Sequence, residues 1–203
     1  MIIEQPAKFL RWLYPQALWR INPEVRAVYL TFDDGPIPEV TPWVLEVLRK
    51  YEVKATFFMV GDNIRKYPDI FQQVVADGHR LGNHTFHHLS GFRHTTAQYL
   101  QDVELANTYL HTDLVRPPHG WMRWWQYYKL HHDYKIVMWD LVTRDYSKRL
   151  DGHDVLRNVQ RYARPGSIIT FHDSLKSHEK LRYALPRAIE WLKAQGYEFK
   201  VFD

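Results

Sequence analysis

Residues 27–36 read AVYLTFDDGP: a run of apolar and β-branched residues that ends in two adjacent carboxylates and a Gly-Pro pair. By composition and length, residues 27–32 form a buried strand. The same kind of run returns downstream at residues 54–60 (KATFFMV), 79–83, 114–116, 135–142 (KIVMWDLV), 167–171 (SIITF) and 197–202 (YEFKVF). Between these runs, residues 38–51, 62–77, 95–111, 121–132, 151–163 and 181–195 carry helical patterns, with Pro186 as a candidate break in the last. Seven strands alternating with helices predict a parallel α/β sheet, open or closed, with functional residues at the C-terminal strand ends.

The 203 residues fit one domain with a sizeable core, and 45% hydrophobic with 25% charged residues argues against disorder. There is no Cys, which excludes disulfide scaffolds, thiolate zinc ribbons, iron–sulfur clusters and thiol nucleophiles. Any transition-metal site must then be built from carboxylates and some of the 12 His. A net charge of +4 without a block of like charges predicts no nucleic-acid partner. The longest stretch free of Lys, Arg, Asp and Glu, residues 81–92, is too short and polar for a transmembrane segment. Residues 1–24 show no secretory signal, which makes the cytoplasm the default compartment. They are expected to be an extension that packs on a domain of residues 25–203. Peripheral membrane association through their Trp, Phe, Leu and basic residues is the other reading.

Four constellations fall at predicted strand ends. In Asp33-Asp34-Gly35-Pro36, one carboxylate can hold a metal while its neighbour acts as a base, although Asp-Asp-Gly is also ordinary turn chemistry. His84 and His88 lie four apart and would share a face on a helical turn, with His87 pointing away. Two His and one carboxylate leave an open position, as in catalytic zinc sites, but His-rich loops also occur without metal. In Arg116-Pro117-Pro118-His119, Arg116 can orient a carboxylate, and a surface loop is the alternative. Late in the chain, Asp145 follows one strand and His172 ends another. A His held charged by a nearby carboxylate is a proton donor in waiting. A fifth feature, the aromatics of residues 121–128, reads as core at helical spacing, with a sugar-stacking platform as the alternative.

With the motifs in this order, residues 25–203 resemble the NodB-homology polysaccharide deacetylases, carbohydrate esterase family 4. TFDDGP and the His-Thr-x-x-His of residues 84–88 carry the resemblance. It implies a distorted (β/α)7 barrel and an N-acetylated glycan as substrate. It implies that Asp34, His84 and His88 hold one divalent metal: zinc first, cobalt or nickel as alternatives. By the same resemblance, Asp33 is the general base, oriented by Arg116, and the backbone N–H of His119 serves the oxyanion. Asp145 supports His172, which protonates the departing amine. Three positions depart from the family pattern: His119 stands for Tyr, Tyr146 for Trp and Thr170 for Leu. The last two make the acyl pocket more polar. They support, as an alternative, a related C–N hydrolase of the deformylase or cyclic-amide type; a non-catalytic carbohydrate-binding relative is a further reading, opposed by the presence of Asp33, Asp34, His84, His88 and His172.

Overall fold

The computed structural model describes residues 4–203. Residues 1–3 of the expected extension lie outside the described residues. Among the described residues there are eight strands: β1 (Ala27–Asp33), β2 (Thr56–Met59), β3 (Arg80–Asn83), β4 (Leu114–Val115), β5 (Lys135–Ile136), β6 (Leu141–Val142), β7 (Ser167–His172) and β8 (Glu198–Phe199). The helices are α1 (Lys8–Leu13), α2 (Thr41–Lys50), α3 (Gly61–Lys66), α4 (Pro68–Ala76), α5 (Thr96–Leu110), α6 (Trp124–Leu130), α7 (Gly152–Tyr162) and α8 (His178–Ala194). The strands pair in parallel in the order β5-β4-β3-β2-β1-β7-β6, and β8 joins the lower half of β1.

The sheet is strongly curled. Flat, its two outer strands would stand about 29 Å apart at the usual strand spacing. Yet Ile136 ends β5 and Leu141 begins β6, and five residues reach at most about 18 Å. Residues 137–140 therefore cross the gap of a nearly closed barrel. The single strand expected over residues 135–142 is split here, and the partners of the freed backbone groups explain why. Val137 O and Met138 O accept from the Arg116 guanidinium. Leu18 donates to Ile136 O and accepts from Met138 N, so a residue of the N-terminal segment sits in the gap.

Side chains alternate along β1. Val28, Leu30 and Phe32 face the outer helices, where Phe32 lies between the rings of Phe57 and Phe171 at 5.1 and 5.9 Å. Tyr29 packs with Phe58, Leu114, Val137 and Ile168 in the barrel interior. Thr31 and Asp33 continue that inward row, which brings Asp33 to the interior at the C-terminal mouth. A third cluster lies beneath α1, α5 and α6 and takes in Leu10, Tyr14 and Trp19 of the N-terminal segment.

Two helical expectations change. Residues 62–77 form α3 and α4 rather than one helix, because Tyr67 precedes Pro68 and leaves the α region at φ −129°, ψ 57°. Conversely, α8 runs through Pro186, held by the buried Ala184, Leu185, Ala188 and Ile189 around it. Phe32→Ala is expected to cost about 3–5 kcal/mol, as truncation of a fully buried aromatic does; urea unfolding of the two proteins measures it.

Candidate active site

Asp33 and His172 are register partners on β1 and β7, so the two parallel strands deliver a carboxylate and an imidazole side by side at the mouth. Asp33 is buried, and its Oδ1 accepts from Arg116 Nη1 at 2.6 Å. Burial pushes the Asp33 carboxyl up from the usual range, while the Arg116 and His172 charges pull it back. The fully buried Arg116 also donates to Thr31 Oγ1 at 2.7 Å, and it lies over the Phe58 ring at 4.1 Å. Every arm of the guanidinium thus has an acceptor, as a buried cation requires.

Asp34 follows Asp33 with φ 85°, which turns its side chain toward two imidazoles. Asp34 Oδ1 lies 3.4 Å from His88 Nε2 and 3.8 Å from His84 Nε2, and the three ligand atoms fall within 4.8 Å of one another. Ligands bound at 2.0–2.2 Å to a tetrahedral ion stand roughly 3.3–3.6 Å apart, so the triad fits a divalent cation. The tautomer fits too. His84 Nδ1 donates to Arg116 O at 2.8 Å, which leaves the Nε2 lone pair facing Asp34 and His88. Burial holds the His84 imidazole well below its ordinary pKa, hence neutral.

The expected helical turn at residues 84–88 is absent. Thr85 and His88 adopt φ 63° and 53°, and the segment is a loop. Asp102 on α5 holds it. Its carboxylate accepts from the N–H groups of Phe86 and His87, each at 2.9 Å, and pairs with His87 Nδ1. Asn83 braces the same loop through Thr85 N and Val103 O. Sequence reading missed Asp102. An acidic residue in mid-helix is ordinary, and nothing local marks a partner 15 residues away.

His172 Nδ1 pairs with Asp145 Oδ1 at 2.8 Å, and its backbone N–H donates to Asp145 Oδ2 at 2.7 Å. Burial opposes the imidazolium, but the Asp145 carboxylate outweighs it and His172 is lifted to about 9. Tyr146, one of the departures, packs edge-on against the His172 ring at 4.8 Å. Thr170, another, places its hydroxyl 3.2 Å from Thr31 Oγ1, so this hydroxyl is engaged within the barrel. His119 sits in a turn over Pro118–Gly120 with φ 62°, and its ring packs against His88 at 4.9 Å. The His119 N–H donates to no other backbone carbonyl among the described residues. Asp173, buried behind the Asp-Asp-Gly-Pro turn, accepts from Gly35 N and Thr41 Oγ1, and burial pushes it up to about 8.

The base-and-triad end of this arrangement opens into a cleft of about 880 Å³, with Arg116, Asp145 and Asp173 buried behind it. Its lining includes Asp33, Asp34, His84, His88, His119, Tyr146, Thr170 and His172. One wall is Pro6, Ala7, Phe9 and Leu10, which sequence reading left outside the site. Glu4 O and the Glu4 carboxylate bind Val142 N and Arg144, and Arg11 binds the buried Asp140 at 2.9 Å, fastening that wall to the barrel. The aromatics expected in the core mostly lie outside it. The two turns of α6 bury Gln126, Tyr127 and Leu130, which leaves Trp124, Trp125 and Tyr128 exposed.

A buried carboxylate, an Asp-His-His cluster that fits a cation and an imidazole paired with a carboxylate stand together on a curled parallel sheet, and the relatives of this chain are hydrolases of the amide C–N bond. The chain belongs to the polysaccharide deacetylase family, whose model matches residues 20–124. It is 30% identical to a peptidoglycan-N-acetylglucosamine deacetylase of Bacillus cereus, over 89% of this chain and 88% of that one. It is 34% identical to a chitooligosaccharide deacetylase of Azorhizobium caulinodans, over 88% and 93%. The crystal structure of the Bc1960 peptidoglycan N-acetylglucosamine deacetylase superposes with a TM-score of 0.89 at 29% identity, covering 95% of this chain and 94% of that one, and the barrel is of its (β/α)7 kind. Other deacetylases it matches are longer, the chain spanning 65% or 38% of their length.

Asp102→Ala removes the acceptor of two loop N–H groups and of His87. The loop that carries His84 and His88 loses its anchor, so affinity for a divalent cation is expected to fall; competition with a chromogenic chelator reads it.

Proposed function

We propose that the chain is a metal-dependent hydrolase that removes N-acetyl groups from the amino sugars of a polysaccharide or oligosaccharide, releasing acetate. The observation that carries this reading is the pairing of Asp33 with His172 across β1 and β7, beside the Asp34–His84–His88 triad. Hydrolysis of an amide needs a base for the water, a sink for the oxyanion and an acid for the amine.

Asp33 takes a proton from the attacking water. Its bond to Arg116 keeps the second carboxylate oxygen free and fixes its aim. Asp34, His84 and His88 would hold one divalent cation, zinc first with cobalt or nickel as alternatives, which would supply charge to polarise the acyl oxygen. The His119 N–H is available to the same oxygen as it becomes an oxyanion. His172, kept protonated by Asp145, gives its proton to the sugar nitrogen as the C–N bond breaks. Water thus ends as the hydroxyl of acetate and the proton on the amine. Base and acid need opposite charge states at one pH, and the two environments supply them: a guanidinium beside Asp33 and a carboxylate beside His172.

The deacetylases among the relatives support an N-acetylated glycan as the substrate class. Engagement of the Thr170 hydroxyl with Thr31 removes much of the polarity that favoured a formyl or cyclic amide. The assembled acid, base and triad oppose a purely binding role.

Asp33→Asn is expected to lower kcat for acetate release from N-acetylated chitooligosaccharides and peptidoglycan fragments about 10²–10⁴-fold, with metal still bound. Because the proton donor is the charged form of His172, kcat/KM should fall as pH rises through about 9. Asp145→Asn should move that limb down toward about 6.5, the ordinary imidazole value. A pH–rate profile with its basic limb unmoved in Asp145→Asn would remove the assignment of His172.

A further inference from the structure

Twelve large apolar side chains are exposed among the described residues, and eight of them lie on α1, at Phe92 or within residues 121–128. Trp12 is 81% exposed, Trp125 61% and Phe9 58%. Exposed apolar side chains scattered singly are normal, but these are not scattered. Tyr14, just past α1, donates to Met122 O at 2.6 Å, and the Tyr127 hydroxyl of α6 accepts from Gln16 N at 2.8 Å. Arg123 donates to Phe92 O, and Phe92 packs on Trp121 at 6.1 Å. The three elements form one assembly, and its inner edge, Phe9 and Trp121, lines the mouth of the cleft.

The segments that carry this surface hold charge of one sign, with the exposed Asp133 just beyond α6 and Glu104 on α5. Residues 5–22, 78–101 and 114–132 contain no Asp or Glu. Arg93, Arg123 and Lys129 are exposed among the aromatics. Indole and phenol rings, set among cations and joined by exposed Leu and Phe, match the boundary between anionic headgroups and acyl chains. A sugar platform has a different character. It calls for open ring faces, whereas Trp124 stacks on Tyr128 with an interplanar angle of 16°.

We propose that α1, the turn at Phe92 and α6 form a docking surface for an anionic lipid membrane, which seats the mouth of the cleft against the headgroups. Sedimentation with vesicles of equal parts phosphatidylcholine and phosphatidylglycerol, and of phosphatidylcholine alone, tests it without turnover, so failure of the deacetylase reading leaves the test intact. The wild-type chain is expected to bind the anionic vesicles at least tenfold more tightly than the neutral ones, with a blue shift of Trp fluorescence. Trp12→Ser with Trp125→Ser should weaken that binding at least tenfold, and so should Arg93→Glu with Lys129→Glu. Neither pair touches the catalytic groups, so acetate release from a soluble chitooligosaccharide and the melting temperature should hold. No binding by the wild-type chain, or binding unaffected in both double variants, overturns the proposal. It is overturned equally if the Trp pair abolishes retention on insoluble N-acetylated glycan, or a lipid-free dimer, while vesicle binding is absent throughout.

Discussion

A guanidinium buried inside the barrel organises this protein. Arg116 has no solvent to rely on, so its cation must be satisfied by Asp33, Thr31 and the carbonyls of Val137 and Met138. Removing one partner of such a pair typically costs about 3–5 kcal/mol, because the other charge is left stranded. The need for acceptors reaches into the fold: two carbonyls that could pair strands turn inward to Arg116, and β5 and β6 part at that point. It also reaches into the site. The carbonyl of Arg116 itself sets the tautomer of His84, so one residue aims Asp33 with its side chain and His84 with its backbone.

Around that centre, two neighbouring groups each face a fixed counter-charge. Asp33 and His172 share a register position, and burial works against the charged form of each. A fixed counter-charge on the far side of each group opposes the burial: Arg116 for Asp33 and Asp145 for His172. Neither counter-charge needs to move during a reaction, which is the condition under which buried dipoles and charges stabilise a transition state at little reorganisation cost.

Much of this was legible in the sequence. The strand of residues 27–32, the paired carboxylates after it and the late imidazole follow from local composition, because parallel strands with two covered faces are apolar runs that end at the site. What was not legible depended on partners far away in the chain. The split at Val137 and Met138 is invisible in KIVMWDLV, since the cause is Arg116. The spacing of His84 and His88 suggested a helical turn, but Asp102 on α5 imposes a loop with two left-handed residues. The aromatics after Gly120 were read as core from spacing, although so short a helix buries only one face. The N-terminal segment looked like a cover, and nothing in its residues betrayed that Phe9 and Leu10 would stand in the cleft.

The seat of Leu18 between the two ends of the sheet also orders events in time. Leu18 is made early, yet its partners Ile136 and Met138 are synthesised more than a hundred residues later. At roughly 5–20 residues per second, this segment leaves the ribosome on the order of ten seconds before its berth exists. Throughout that interval the backbone of Leu18 lacks the strand partners it bonds in the folded barrel. Closure of the barrel, and with it the wall of the cleft, is thus a late and non-local step, of the kind that slows folding and exposes a nascent chain to chaperones.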